Sequence, residues 1–209
     1  MVIDHIFIIS NDIGKEADDL VNFSFIEGSG RIHPGQGTIN RKFYFANFFL
    51  EILWVVDEKE IQSEVTSITK LWERSQFFKN EYSPFGLCVA NKSSTDKLFE
   101  KGEIYQPNYF PKGVLLDIIT NEEYPKLPWT FRLPNIGEIK THYEPIEHSN
   151  GINSLTQAEF EINIQTKENR FIIFFDGLEN IGFKQSNRAH LTLEFDHKIL
   201  NNNTILLFE

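Results

Sequence analysis

Two short apolar runs, Ile3–Ile9 and Phe49–Val55, constrain this chain more than any other feature, because each carries one polar group that apolar surroundings must satisfy. His5 interrupts the first run and Glu51 the second. A bare polar group costs several kcal/mol to bury, so each must be hydrogen-bonded, paired or metal-bound. In residues 2–10 the period of two puts His5, Phe7 and Ile9 on one face with Ile3, and Ile6 and Ile8 on the other. Both faces are apolar, as expected of a strand covered on both sides. Asn11-Asp12 then offers a helix start, with Ala17, Leu20 and Val21 at helical spacing, and residues 41–47 and 48–56 read as paired strands. Residues 1–56 therefore read as strand, helix, loop, strand, strand, the outline of a first βαβββ module.

The rest of the chain is punctuated differently. Asp57 with Glu60 resembles a capping box opening a broken helix over residues 58–78. Residues 85–91 read as a strand, followed by a short helical piece. The stretch 103–148 contains Pro107, Pro111, Pro125, Pro128, Pro134 and Pro145 and reads as irregular with short extended pieces. From Asn150-Gly151 the opening pattern restarts as strand, short helix and three extended segments. The reading is an α+β chain in three parts: a first unit over 1–56, a connecting insertion over 57–149, and a second, shortened βαβββ unit over 150–209.

Charge and cysteine content narrow the function. A net charge of −10 argues against nucleic acid as partner, since phosphate contacts need a basic face. The single cysteine, Cys88, excludes an internal disulfide and reads as a buried structural thiol. No apolar run approaches the roughly 20 residues that cross a bilayer, and the first residues lack a signal-peptide pattern, so a cytoplasmic protein is expected.

The densest polar feature is the loop His33-Pro34-Gly35-Gln36-Gly37-Thr38-Ile39-Asn40-Arg41. Gly35 and Gly37 permit backbone shapes that aim amides at an anion, and Arg41 is suited to grip a carboxylate with two parallel hydrogen bonds. His33, Gln36, Thr38 and Asn40 would add neutral hydrogen bonds. Trp54, Trp72 and Tyr109 are candidate aromatic walls, and Arg74 a second cation. Each has a structural alternative: core packing for the aromatics, a self-satisfied loop for residues 33–41, and an ion pair with Arg41 or Arg74 for Glu51.

An ordered series of segments resembles the glyoxalase-like branch of the vicinal oxygen chelate superfamily. It comprises Asp4-His5-Ile6-Phe7, the 33–41 loop, Phe49-Leu50-Glu51-Ile52-Leu53-Trp54-Val55, Leu71-Trp72-Glu73-Arg74, Ser83-Pro84-Phe85-Gly86 and Asn150-Gly151-Ile152-Asn153-Ser154-Leu155-Thr156. The resemblance implies two fused modules curling around a cleft. It places His5 and Glu51 at metal-ligand positions, Gln157 opposite His5 in the second unit, and Glu51 as the candidate catalytic group. Imidazole plus carboxylate suits a single divalent ion (zinc, nickel, manganese or iron), acting as a Lewis acid in isomerase, lyase or dioxygenase chemistry. The competing expectation is a metal-free protein, monomer or homodimer, that sequesters a small polar or anionic molecule.

Overall fold

The computed structural model describes residues 1–134, 144–164, 169–198 and 204–207, with side chains as far as His197. Twelve strands and six short helices form two sheets among these residues. The first unit runs β1 (Ile3–Ile9), α1 (Glu16–Asn22), β2 (Arg31–His33), β3 (Thr38–Tyr44) and β4 (Phe49–Val55). Three one-turn helices follow, α2 (Glu58–Ile61), α3 (Glu64–Ser67) and α4 (Leu71–Ser75). Asp57 caps the first of them by accepting from the amides of Lys59 and Glu60. The Glu60 carboxylate reaches the Gly35 amide instead of closing a capping box.

The next stretch contributes β5 (Phe85–Val89), α5 (Asp96–Phe99), β6 (Glu103–Tyr105), β7 (Leu116–Ile119) and β8 (Trp129–Arg132). All eight strands join one curled sheet in the order β2-β3-β4-β1-β5-β8-β7-β6. Its two halves are paired alike. β1 lies parallel to β4, β4 antiparallel to β3, and β3 antiparallel to β2; β5 lies parallel to β8, β8 antiparallel to β7, and β7 antiparallel to β6. An antiparallel β1–β5 ladder joins the halves.

The short extended pieces expected within residues 103–148 are three strands of three or four residues that join the large sheet. Pro107, Pro111, Pro125 and Pro128 fall between these strands, so they end strands without preventing them.

The second sheet holds β9 (Leu155–Ile162), β10 (Ile181–Gln185), β11 (His190–Phe195) and β12 (Thr204–Leu207), with α6 (Arg170–Phe175) between β9 and β10. The element order here is again βαβββ, but the pairing differs. β9 sits between a parallel β10 and an antiparallel β11, whereas β1 sits beside the last strand of its own unit.

The large sheet has two buried faces. On the outer one, Ile6, Ile8, Leu50, Ile52, Phe85 and Leu87 pack with Ala17 and Leu20 of α1 and with Ala158, Phe160, Leu191 and Leu193 of the second sheet. Burying each large apolar side chain fully contributes about 1.5–3 kcal/mol, so this interface is the main core. On the inner face Phe7, Ile9, Leu53, Cys88, Tyr105, Leu116, Trp129 and Phe131 form a second cluster. The β1–β5 register shifts between Ile3 and His5, and Ile3 packs with the outer core while His5 turns inward. Asn47 clamps the second sheet to the first through both backbone groups of Leu155 (2.8 and 2.9 Å). Among the described residues no helix is long and apolar enough to cross a membrane.

Candidate functional site

The inner face of the curled sheet encloses a cavity of about 150 Å³. Strand alternation decides which side chains reach it. His5 and Phe7 come from β1, Arg31 and His33 from β2, Asn40 and Lys42 from β3, and Phe49, Glu51 and Leu53 from β4. The second half of the sheet adds Leu116, Trp129 and Phe131, and the β6–β7 connection adds Tyr109 and Phe110.

His5 and Glu51 meet on this face, with Nε2 and Oε2 3.8 Å apart. Asp4 lies behind the histidine, its carboxylate 2.6 Å from Nδ1. An ionised carboxylate only accepts, so Nδ1 carries the proton and, in the neutral ring, Nε2 faces the cavity as an acceptor. Phe49 stacks on the imidazole at 4.2 Å and Phe131 meets it edge-on, fixing its plane. Asn40 Nδ2 donates to Glu51 Oε1 at 2.6 Å, and the Asn40 carbonyl oxygen accepts from the Arg31 amide.

A second polar chain lies beside the first. The hydroxyls of Tyr105 and Tyr109 donate to Gln36 Oε1 at 3.3 and 3.2 Å, and Gln36 Nε2 donates to Thr38 Oγ1 at 2.8 Å. Thr38 Oγ1 is in turn 2.8 Å from His33 Nδ1. Burial lowers the His33 pKa to about 4, with Glu51 opposing and Arg31 assisting, so the ring is neutral near pH 7. Burial also raises the Tyr109 phenol, which stays protonated and keeps donating.

Several expected residues lie elsewhere. Arg41 alternates with Asn40 and Lys42 and emerges on the opposite face of β3. There it forks onto Glu27 (2.8 and 2.6 Å) and reaches Asp18 at 2.7 Å. Trp54 also leaves the cavity, covering Gly14 on the outer side. Trp72 packs at the margin of the inner cluster without lining the cavity.

Arg74 is fully buried and donates to the carbonyls of Ser83, Thr120 and Leu127 at 2.7–3.0 Å. Burial pushes its pKa down to about 9, so it remains charged near neutrality as a structural tie. The amides of Gly35 and Gly37 are taken by Glu60 and the His33 carbonyl and do not point at a ligand.

Gln157 sits on β9 opposite Glu194, alternating with the buried Ala158 and Phe160 of the main core. It belongs to the second sheet and does not line the cavity with His5 and Glu51. The expected donor set His5, Glu51, Gln157 is therefore not assembled. Leu116, Trp129 and Phe131 on the other half of the sheet ligate no metal, and His33, the other imidazole of the lining, turns Nδ1 to Thr38 and is not grouped with His5 within ligating reach.

Among the described residues, the metal-binding types within mutual reach are Asp4, His5 and Cys88. In that group Asp4 already occupies Nδ1, and burial raises the Cys88 thiol well above its usual range, against thiolate formation. These side chains do not fit a four-ligand divalent centre.

The sequence reading missed Arg31, Lys42 and Phe131. For Arg31 the usable signal was its spacing of two from His33, which puts both on one face of β2.

No family model matches the sequence, and no curated protein matches it. Among solved structures, a hypothetical protein from Staphylococcus aureus aligns over 90% of this chain and 86% of its own, with TM-score 0.55 and 14% identity. A hypothetical protein from Bacillus halodurans C-125 aligns over 66% of this chain and 96% of its own, with TM-score 0.43 and 12% identity. At such identity the first likeness speaks for the fold alone, and the second carries no argument.

Proposed function

We propose that this chain is a small-molecule-binding protein of vicinal oxygen chelate-like architecture, holding a polar or anionic metabolite in the inner-face cavity without a resident metal. In this reading the two fused modules are residues 3–55 and 85–132. Their support is the shared pairing scheme on either side of the β1–β5 ladder.

The observation that carries the function is the composition of a single cavity. Its polar floor of His5, Glu51 and Asn40 is backed by hydrogen bonds, and its opposite wall is aromatic. A concave, largely apolar pocket with a few fixed polar groups is the usual form of a small-molecule site. The groups are also pre-organised, which lowers the cost of binding.

A fragment screen followed by ¹H–¹⁵N spectra tests the reading. Hits should shift amides of β1, β3 and β4 and of residues 109–110. Absence of hits, or shifts confined to the second sheet, would refute it.

The second reading is metal-dependent lyase, isomerase or dioxygenase chemistry, and the 3.8 Å approach of His5 and Glu51 favours it. Metal content of the purified protein and of His5→Ala separates the two. Stoichiometric metal that disappears with His5 would favour the enzyme.

A further inference from the structure

We infer that the cavity's ligand is a small aromatic monocarboxylate with a hydrogen-bond donor at the far end of its ring, a compound of the hydroxybenzoate class. Arg31 takes the carboxylate, and His5 with Glu51 takes the donor. The inference rests on the cavity being a binding site and goes on to name what it binds.

Size comes first. A volume near 150 Å³ is that of a cavity able to hold a benzene ring, so one ring with small substituents fills the space. The wall suits a ring: Phe7, Trp129 and Phe131 form a contiguous aromatic cluster, with centroids 4.7–6.3 Å apart.

Charge comes second. The chain carries a net charge of −10, yet two cations line this cavity. Among the described residues neither Arg31 nor Lys42 has a carboxylate within ion-pairing distance, unlike Arg41 and Arg132. The Arg31 guanidinium lies over the Tyr109 ring at 4.9 Å and near Phe110 at 5.7 Å. Stacking holds the guanidinium face and leaves its in-plane N–H groups free for a carboxylate. Lys42, the cross-strand partner of Glu51 with Nζ 5.6 Å from the Phe49 ring, lies at the His5–Glu51 end, which leaves Arg31 as the cation of the acid end.

The floor sets the other end. With the His5 ring neutral and Nδ1 turned to Asp4, His5 Nε2 and Glu51 Oε2 are two acceptors facing each other across 3.8 Å. A hydroxyl or amine between them supplies the missing donor. Arg31 is two strands from Glu51, about 10 Å at the usual strand spacing, a gap spanned by a para-substituted ring plus the reach of the arginine side chain.

Isothermal titration of the full chain with 4-hydroxybenzoate, benzoate and phenol tests the assignment, together with the Arg31→Gln and Glu51→Gln variants. Removing either end of the ligand should weaken binding roughly ten- to hundred-fold relative to 4-hydroxybenzoate. Arg31→Gln should bring 4-hydroxybenzoate down toward phenol, and Glu51→Gln should bring it toward benzoate. Equal binding of phenol and 4-hydroxybenzoate, or an unchanged ratio in Arg31→Gln, overturns the acid assignment while the cavity remains a binding site. No binding of any of the three overturns the inference, and the fragment screen then decides separately on the cavity.

Discussion

His5 Nε2 faces Glu51 Oε2 across 3.8 Å from the adjacent parallel strand, with Asp4 behind the first and Asn40 behind the second. Each of the two groups is therefore held from behind while its inner atom is left to the cavity. That arrangement gives Glu51 a structural task as well as its place in the site. It is the acceptor for a buried Asn40 amide, and stability measures that task independently of any ligand.

Glu51→Ala should destabilise the protein by about 1–3 kcal/mol, because the Asn40 Nδ2 group loses its acceptor in a buried place. Glu51→Gln keeps a carbonyl oxygen at the same position and should recover part of the loss. Urea unfolding with an unchanged m-value is the measurement. Equal midpoints for the parent and Glu51→Ala would show that the Asn40 bond contributes nothing.

Arg41→Ala should leave cavity binding unaltered and lower stability by roughly 0.5–1 kcal/mol, the scale of a partly exposed ion pair. Its partners Glu27 and Asp18 lie on the outer side of β3, and the Arg41 side chain is 26% exposed. The hydrogen bonds it donates to Glu27 and then Asp18 raise the guanidinium pKa further, so Arg41 keeps its charge across the ordinary pH range. A loss of ligand affinity in Arg41→Ala, by titration against the parent, would contradict this placement.

Arg41 also shows where the sequence was legible and where it was not. The first unit could be read because β1, β3 and β4 are seven residues each and carry a clear period of two. The same period separates Arg41 from Asn40 and Lys42, so grouping residues 33–41 as one site conflicted with information already present. Strands β6, β7 and β8 are only three or four residues long, too short for alternation to stand out between prolines. Gln157 failed for a different reason. The restart near residue 150 carries element order, whereas strand pairing depends on contacts between distant residues that local pattern does not encode.

Arg74→Met should cost roughly 3 kcal/mol or more, the range of a broken buried network. Its guanidinium ties together the Ser83, Thr120 and Leu127 carbonyls from three separate stretches of chain. Arg74→Lys should restore little, since one ammonium cannot reproduce the planar fork. Thermal unfolding checks both, with about 2–4 °C lost per kcal/mol at this chain length. A Met variant within 2 °C of the parent would show that the three carbonyls find other donors.

His33 predicts the acid side of the stability profile. Its folded pKa, near 4, lies below the value of about 6.5 in an unfolded chain. The unfolded state therefore binds the proton first, and stability falls as pH drops through the interval from 6.5 to 4. The contribution is complete above pH 6.5 and should be diminished by about 2–3 kcal/mol at pH 4.5, using 1.36 kcal/mol per pH unit. His148, whose pKa burial also lowers, and the carboxylates add their own acid sensitivity, so the parent must be compared with His33→Gln. Glutamine can still bond Thr38 but does not titrate. Urea unfolding of both proteins from pH 7.5 to 4.5 should show the parent losing stability faster as the pH falls. Parallel curves over that interval would mean that His33 takes its proton as readily in the fold as outside it.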